Sequence, residues 1–195
     1  MEQEEYYSKP SIVSIIWSWI WSFIVAFIIV GAVYIFLGRP FTVSGASMYP
    51  TLHNGDRMVL SKVGDIHRFD VVILKAPDEN VEYIKRVIGM PGDTVEMKSG
   101  LLYINGKKVD QPFINTEALA KQTVFMDDFT LESLTGESKV PEGKYFVLGD
   151  NRGVSKDSRM IGFIDRSAIE GKAVFTIWPF GRIGGQKDYG YLYSE

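Results

Sequence analysis

Residues 82–106 read Glu82-Tyr83-Ile84-Lys85-Arg86-Val87-Ile88-Gly89-Met90-Pro91-Gly92-Asp93-Thr94-Val95-Glu96-Met97-Lys98-Ser99-Gly100-Leu101-Leu102-Tyr103-Ile104-Asn105-Gly106. The run from Glu82 to Met90 is rich in residues that favour strands, and Pro91-Gly92-Asp93 closes it with a turn signal. Thr94 to Met97 and Leu101 to Ile104 flank Lys98-Ser99-Gly100, the pattern of a short hairpin. Asn105-Gly106 follows directly and marks a second tight hairpin turn. Outward from this stretch, Arg57 to Val63 and Asp70 to Leu74 precede it, the latter ended by Pro77. Lys144 to Leu148 and Ala173 to Trp178 follow it. Short strands with frequent turns predict a mainly β domain of packed or coiled antiparallel sheet. Two stretches break the pattern. Residues 111–142, with Glu117-Ala118-Leu119-Ala120-Lys121 and Asp127-Asp128, are expected to be an insertion with its own small structure. The tail after Phe180 is polar and Gly-rich, and is expected to be loosely held.

Upstream, Ser11 to Leu37 carries no charged side chain. About 26 residues at 1.5 Å each make a helix of roughly 39 Å, enough to cross a hydrocarbon core of about 30 Å with some tilt. Trp17, Trp19 and Trp21 near one end, and Tyr34 near the other, suit interfacial aromatic belts. A cleavable secretory signal has a shorter apolar region behind a basic N-terminus. Here Glu2, Glu4 and Glu5 accompany Lys9 as the one basic side chain. A soluble core helix would show a polar face, and this run has none. The expected organisation is a short N-terminal segment at 1–11, a transmembrane anchor at 12–37 and a β-rich domain at 38–195. Lys9 and Arg39 balance each other across the anchor, so flanking charge alone leaves its orientation open.

The formal charge of −3 gives no basic bias, and no nucleic-acid partner is expected. The absence of cysteine removes disulfides, thiolate metal sites and a Cys nucleophile together. The two histidines, His53 and His67, form no HExxH pattern, and no metal or cofactor is expected. His53 is near Ser47 in sequence, so a Ser/His/Asp triad stays open. Both histidines suit polar loop or strand-end positions.

Just after the apolar run comes Ser44-Gly45-Ala46-Ser47-Met48-Tyr49-Pro50-Thr51-Leu52. A serine hydroxyl is a weak nucleophile unless a base takes its proton. Lysine is such a base only when neutral, and a free pKa of about 10.4 leaves under roughly 0.1% neutral at pH 7. Burial among apolar groups lowers that pKa. Strand alternation puts Lys85 on one face with Tyr83 and Val87, and Arg86 on the other with Ile84 and Ile88. Taken alone, Ser47 still reads as a turn serine and Lys85 as a solvated strand lysine. Gly149-Asp150-Asn151-Arg152-Gly153-Val154-Ser155-Lys156-Asp157-Ser158-Arg159 alone reads as a loop of surface charge pairs.

Together the three segments resemble the bacterial type I signal peptidases (leader peptidases), Ser/Lys-dyad serine proteases that remove signal peptides from exported proteins. The resemblance implies Ser47 as the acylated nucleophile and Lys85 as the general base. It implies that Ser155 hydrogen-bonds and orients that base. Asp150 with Arg86, and Asp157 with Arg159, would be ion pairs holding the strands around it. The Ser47 N–H would be the oxyanion donor. Gly45 stands where some members carry a second, hydroxyl donor, so that hydroxyl is missing. The partners implied are preprotein signal peptides and membrane lipid, and the enzyme is expected to be a monomer. The substrate would pair with strand edges near Ser44 to Ser47 and Glu82 to Ile84. Its small side chains at −1 and −3, the Ala-X-Ala pattern, would enter pockets lined by Met48, Ile84 and Tyr83. The N-terminus would be cytosolic and the catalytic domain extracytoplasmic. Mitochondrial inner-membrane peptidases share the dyad, and an inactive anchored binding module is the non-enzymatic alternative. Self-cleaving repressors would carry a DNA-binding domain where this chain has its apolar run.

Overall fold

Val71-Val72-Ile73-Leu74 and Ile84 to Gly89 are buried at every position rather than at alternate ones. A continuous apolar run of this length suits a strand covered on both faces, and these two strands lie at the centre of the larger sheet. The structure is a computed structural model, and it describes residues 11–37, 40–62, 64–114 and 127–193. Lys9, Arg39 and the Glu117-to-Lys121 stretch lie outside them, as does the side chain of Tyr34. The chain divides into two compact units, Met1–Leu37 and Gly38–Glu195.

In the first unit the described residues form one helix, α1 (Ile12–Leu37). Its stretch Ile12–Gly31 is long and apolar enough to cross a membrane. Trp17, Phe23 and Phe27 stand exposed on it, an arrangement costly in water at about 25 cal/mol per Å² of apolar surface. The hydroxyls of Ser14, Ser18 and Ser22 donate to carbonyls one turn back, at Ser11, Ile15 and Ser18. Polar groups satisfied within the helix are what an apolar solvent demands.

The second unit holds two antiparallel sheets. The larger runs β1 (Pro40–Thr42), β2 (Arg57–Ser61), β11 (Ile169–Trp178), β3 (Val71–Lys75), β4 (Glu82–Gly89), β9 (Lys144–Leu148) and β10 (Ile164–Asp165), with β12 (Gly184–Gly185) also pairing β11. The smaller runs β7 (Lys107–Val109), β6 (Leu101–Ile104), β5 (Val95–Lys98) and β8 (Phe129–Thr130). Among the described residues it also carries two short α-helices, α2 (Leu131–Thr135) and α3 (Ser158–Ile161). Mainly antiparallel sheet behind one apolar N-terminal helix is the architecture expected from the sequence. The turns explain the hairpins. Ser99-Gly100 and Asn105-Gly106 have φ of 51° and 75°, and of 50° and 75°, the left-handed pair that a two-residue hairpin requires. Gly89 ends β4 where a Cβ would meet Val140 and Val95 at 2.9 Å, so the strand passes close beneath the second core.

Three expectations change. Residues 111–142 do not stand apart where they are described. Phe113, Ile114, Phe129, Leu131 and Val140 join Met97, Leu102 and Phe146 in one core, and β8 extends the smaller sheet. Scattered large apolar residues carry the packing there, without the periodicity that would reveal it. The tail is also tied down. β12 pairs with β11, Arg182 bonds Asp56, and Tyr189, Leu192 and Tyr193 pack on that same core. Finally, β11 starts at Ile169 rather than Ala173. Gly171 looks like a turn residue, yet it sits where a Cβ would be 2.4 Å from the Ser61 carbonyl oxygen, allowing β11 to approach β2.

Candidate active site

The turn carrying Ser47 is fixed from beneath and from the side. Met48 and Leu52 are sunk in the core with Leu60, Ile73 and Ile84, and the Leu52 N–H donates to the Met48 carbonyl at 2.9 Å. Gly45 has φ of 85° and donates its N–H to Asn54 Oδ1 at 2.9 Å. From the 149–159 loop, the Asn151 N–H donates to the Ser47 carbonyl at 3.0 Å and Asn151 Nδ2 to the Ala46 carbonyl at 3.1 Å. Ser47 itself is half-buried, and its N–H makes no hydrogen bond among the described residues.

Strand β4 delivers Lys85 to this turn. Its side chain is 3% exposed, and Nζ donates to Ser47 Oγ at 3.1 Å and to the Ile84 carbonyl at 2.9 Å. Tyr83 shares its face, with the ring centroid 4.9 Å from Nζ. Burial pushes the Lys85 pKa down to about 8, and the Asp157 carboxylate opposes the shift by favouring the cation. A lysine so placed is neutral in a useful fraction at physiological pH, and in that form it is able to accept a proton along the contact to Ser47 Oγ.

Arg86, on the opposite face, makes a bidentate pair with Asp150, Nε to Oδ1 at 2.8 Å and Nη2 to Oδ2 at 2.6 Å. Its Nη1 donates to the Phe69 carbonyl at 2.7 Å, and Phe113 covers it with its ring centroid 4.2 Å from Cζ. Thr51 Oγ1 donates to Asp150 Oδ2 at 2.5 Å, tying the Ser47 turn to this pair. Asp157 accepts from Arg159 Nε at 2.8 Å and from the Gly149 N–H at 3.0 Å, and it caps α3. Both expected pairs are therefore present. Thr51 and Arg152 had no role in the sequence reading. Arg152 is buried, donates Nε to the Gly149 carbonyl at 2.9 Å, and is pushed down to about 10 by burial. The Arg in Gly149-Asp150-Asn151-Arg152 was the available signal. Its direction in space was not.

Other expected contacts are not made. Ser155 Oγ is buried without a hydrogen-bond partner among the described residues, so it does not bond Lys85. Lys85 directs its recorded bonds to Ser47 and Ile84 instead, while Ser155 packs against Gly149. Gly45 supplies no oxyanion donor, because it has no side chain and its N–H is taken by Asn54. Met48 and Ile84 are buried, at 1% and 4% exposure, and Tyr83 alone of the three is partly accessible. No triad forms either. The His53 ring packs edge-on against Tyr49, with centroids 5.1 Å apart, and the recorded partner of Ser47 Oγ is Lys85.

A family model described as "Signal peptidase, peptidase S26" matches residues 16–178. The chain belongs to the signal peptidase family. It is 47% identical to a signal peptidase I of Bacillus licheniformis over 76% of this chain and 81% of that protein. It is 42% identical to signal peptidase I S of Bacillus subtilis (strain 168) over 94% and 98%. Its fold matches a crystal structure of a signal peptidase I from Enterococcus faecalis V583 with a TM-score of 0.51 and 41% identity, covering 56% of this chain and 97% of that one. This member of the family is thus a serine endopeptidase of the kind that removes signal peptides, and the family works with a Ser/Lys dyad.

Proposed function

We propose that Ser47 and Lys85 are the dyad, and that the enzyme cuts exported preproteins after an Ala-X-Ala site. The 3.1 Å contact between Ser47 Oγ and a buried Lys85 carries the reading. With a pKa of about 8, roughly one lysine in ten is neutral at pH 7, about three hundredfold more than for a free side chain. Neutral Lys85 takes the hydroxyl proton as Oγ bonds to the scissile carbonyl carbon. The oxyanion that forms is met by the Ser47 N–H. Collapse breaks the C–N bond, Lys85 returns the proton to the departing amine, and the signal peptide remains as an ester on Ser47. Lys85 then takes a proton from water as that water attacks the ester, and passes it to Ser47 Oγ as the C–O bond breaks, which regenerates the neutral lysine and the serine hydroxyl. Asp157 stabilises the ammonium form in each half, while Arg159 tempers that charge.

An extended substrate has an edge to join. Pairing of β9 with β4 reaches only from Gly89 to Arg86, so Tyr83 and Ile84 have a ladder neighbour on the β3 side alone. The protein works as a monomer, anchored by α1 with its N-terminus in the cytosol and the catalytic unit outside. Lipid contact is supported by Phe175, Ile177, Trp178, Phe180 and Ile183, which are exposed close together in sequence.

The test is cleavage of a preprotein bearing an Ala-X-Ala site, in detergent with phospholipid, by wild type, Ser47→Ala and Lys85→Ala. Wild type should cut after the site. Each variant should lose at least about a thousandfold, equivalent to roughly 4 kcal/mol of transition-state stabilisation. Equal cleavage by wild type and Ser47→Ala would remove Ser47 as nucleophile.

A further inference from the structure

The turn between β3 and β4 is closed by a hydrogen bond from the Ala76 N–H to the Val81 carbonyl at 2.9 Å, and it carries Asp78 and Glu79. Both carboxylates reach the same cation on another element. Lys156 Nζ bonds Glu79 Oε1 and lies 2.5 Å from Asp78 Oδ2. Lys156 stands between Ser155 and Asp157, two buried residues of the 149–159 loop beside the dyad. On its other side Glu79 is near enough to the Tyr83 phenol for each to shift the other's titration. Burial first, and then this carboxylate, raise the Tyr83 pKa. Lys156, then Tyr83, hold Glu79 below its usual range. The ring of Tyr83 faces Lys85 Nζ at 4.9 Å. An accessible lysine thus grips the turn that leads directly into β4, two residues before the side chain that faces Lys85.

We propose that Lys156 is a positioning residue for Lys85: by gripping Asp78 and Glu79 it locks the β3–β4 turn, and with it the Tyr83 ring, against the base. The inference rests on Lys85 being that base. The groups facing Lys85 are Tyr83 from its own strand, Ser47 from the nucleophile turn, and Asp157 from the loop, itself paired with Arg159. Neither Asp78 nor Glu79 contributes directly to the charge balance at Lys85, so the latch works through the ring and the water it excludes. Freeing the turn lets water reach Nζ, which favours the ammonium and reduces the neutral fraction.

The experiment is the pH dependence of single-turnover acylation by the full chain in detergent and phospholipid, at low and high salt. Lys156→Ala should move the alkaline rise up by about half a unit, a roughly threefold loss on the rising limb with little loss on the plateau. Lys156→Arg should restore the wild-type profile. High salt should shift wild type towards Lys156→Ala and leave that variant in place, since an exposed ion pair is screened. The double variant Asp78→Asn, Glu79→Gln separates a latch from a simple field effect. Losing the latch moves the profile up, whereas removing two negative charges would move it down. An unmoved profile in Lys156→Ala, an equal loss at every pH, or a downward shift in the double variant would overturn the latch. A Lys85→Ala enzyme that keeps its activity would overturn the base assignment, and the latch with it. An inactive Lys85→Ala alongside an unmoved Lys156→Ala would sink the latch alone.

Discussion

Lys85 and Arg86 are adjacent cations, both buried, and they are treated differently. Arg86 has a bidentate carboxylate, a carbonyl and an aromatic face. Lys85 has a hydroxyl, a carbonyl and a more distant carboxylate, so its charged form is undercompensated. That deficit suits the proposed role of base, and it should cost stability. Its folded pKa of about 8 lies below the ordinary 10.5. Below pH 8 the lysine is charged in both folded and unfolded states, and the penalty for burying the charge is fully present. Between about 8 and 10.5 the folded state binds fewer protons, and the penalty fades as pH rises. Lys85→Met should therefore be inactive yet more stable at pH 7, by about 2 kcal/mol or about 5 °C in thermal midpoint. Thermal melts across pH should show that advantage shrinking towards pH 10.5. The motif made both residues legible as a pair of opposite faces. Hydroxyl placement was not legible: Ser155 lies beside Gly149 and misses Lys85, because a rotamer depends on what surrounds it.

At the scale of elements, the site depends on how closely the 149–159 loop approaches the Ser47 turn. Gly149 is the point of contact. A Cβ there would lie 2.1 Å from Ser155 Oγ and 2.5 Å from the Ser47 carbonyl oxygen, and a backbone atom cannot swing away. Gly149→Ala should displace the turn by a fraction of an ångström or more. Expected is a loss of activity of about a hundredfold, with about 1–3 kcal/mol of stability lost in denaturant titrations. Gly181→Ala, where a Cβ meets nothing within 4 Å, is the control and should change neither. Hairpins held by Ser99-Gly100 and Asn105-Gly106 were legible because turn chemistry is local. β8 and the first residues of β11 were not, because Phe129-Thr130 and Ile169-Glu170-Gly171-Lys172 become strands only through their partners.

Across the whole molecule, the C-terminal segment closes a circuit that begins at the active site. Tyr189 packs edge-on against Phe113, with centroids 5.4 Å apart, and its ring centroid is 5.4 Å from Arg86 Cζ. Tyr193 stacks on Arg68, whose Nη1 pairs with Asp93 at 2.5 Å, and accepts a hydrogen bond from Asn105 Nδ2 at 2.9 Å. The tail thereby covers the guanidinium that underlies the Lys85 strand. Ending the chain after Lys187 should lower stability by about 2–4 kcal/mol through lost apolar burial. The same deletion should reduce cleavage by uncovering Arg86. Urea midpoints and turnover measured on that variant check both, and an unchanged midpoint would show that the tail bears no load.

Patterns confined to neighbouring residues were decided by the sequence alone. These are the uninterrupted apolar run of α1, the Gly-containing hairpin turns, the alternation that sets Lys85 and Arg86 on opposite faces, and the spacing of the three motifs. Contacts between distant residues needed the tertiary structure. Only packing could show how deeply Met48 and Ile84 are buried, that the tail is held, and that Lys156 reaches back to Asp78 and Glu79. The physical reason is that burial, and with it the pKa of Lys85, is a property of what surrounds a residue in space, and the surroundings of Lys85 come from positions as far apart as 47 and 157.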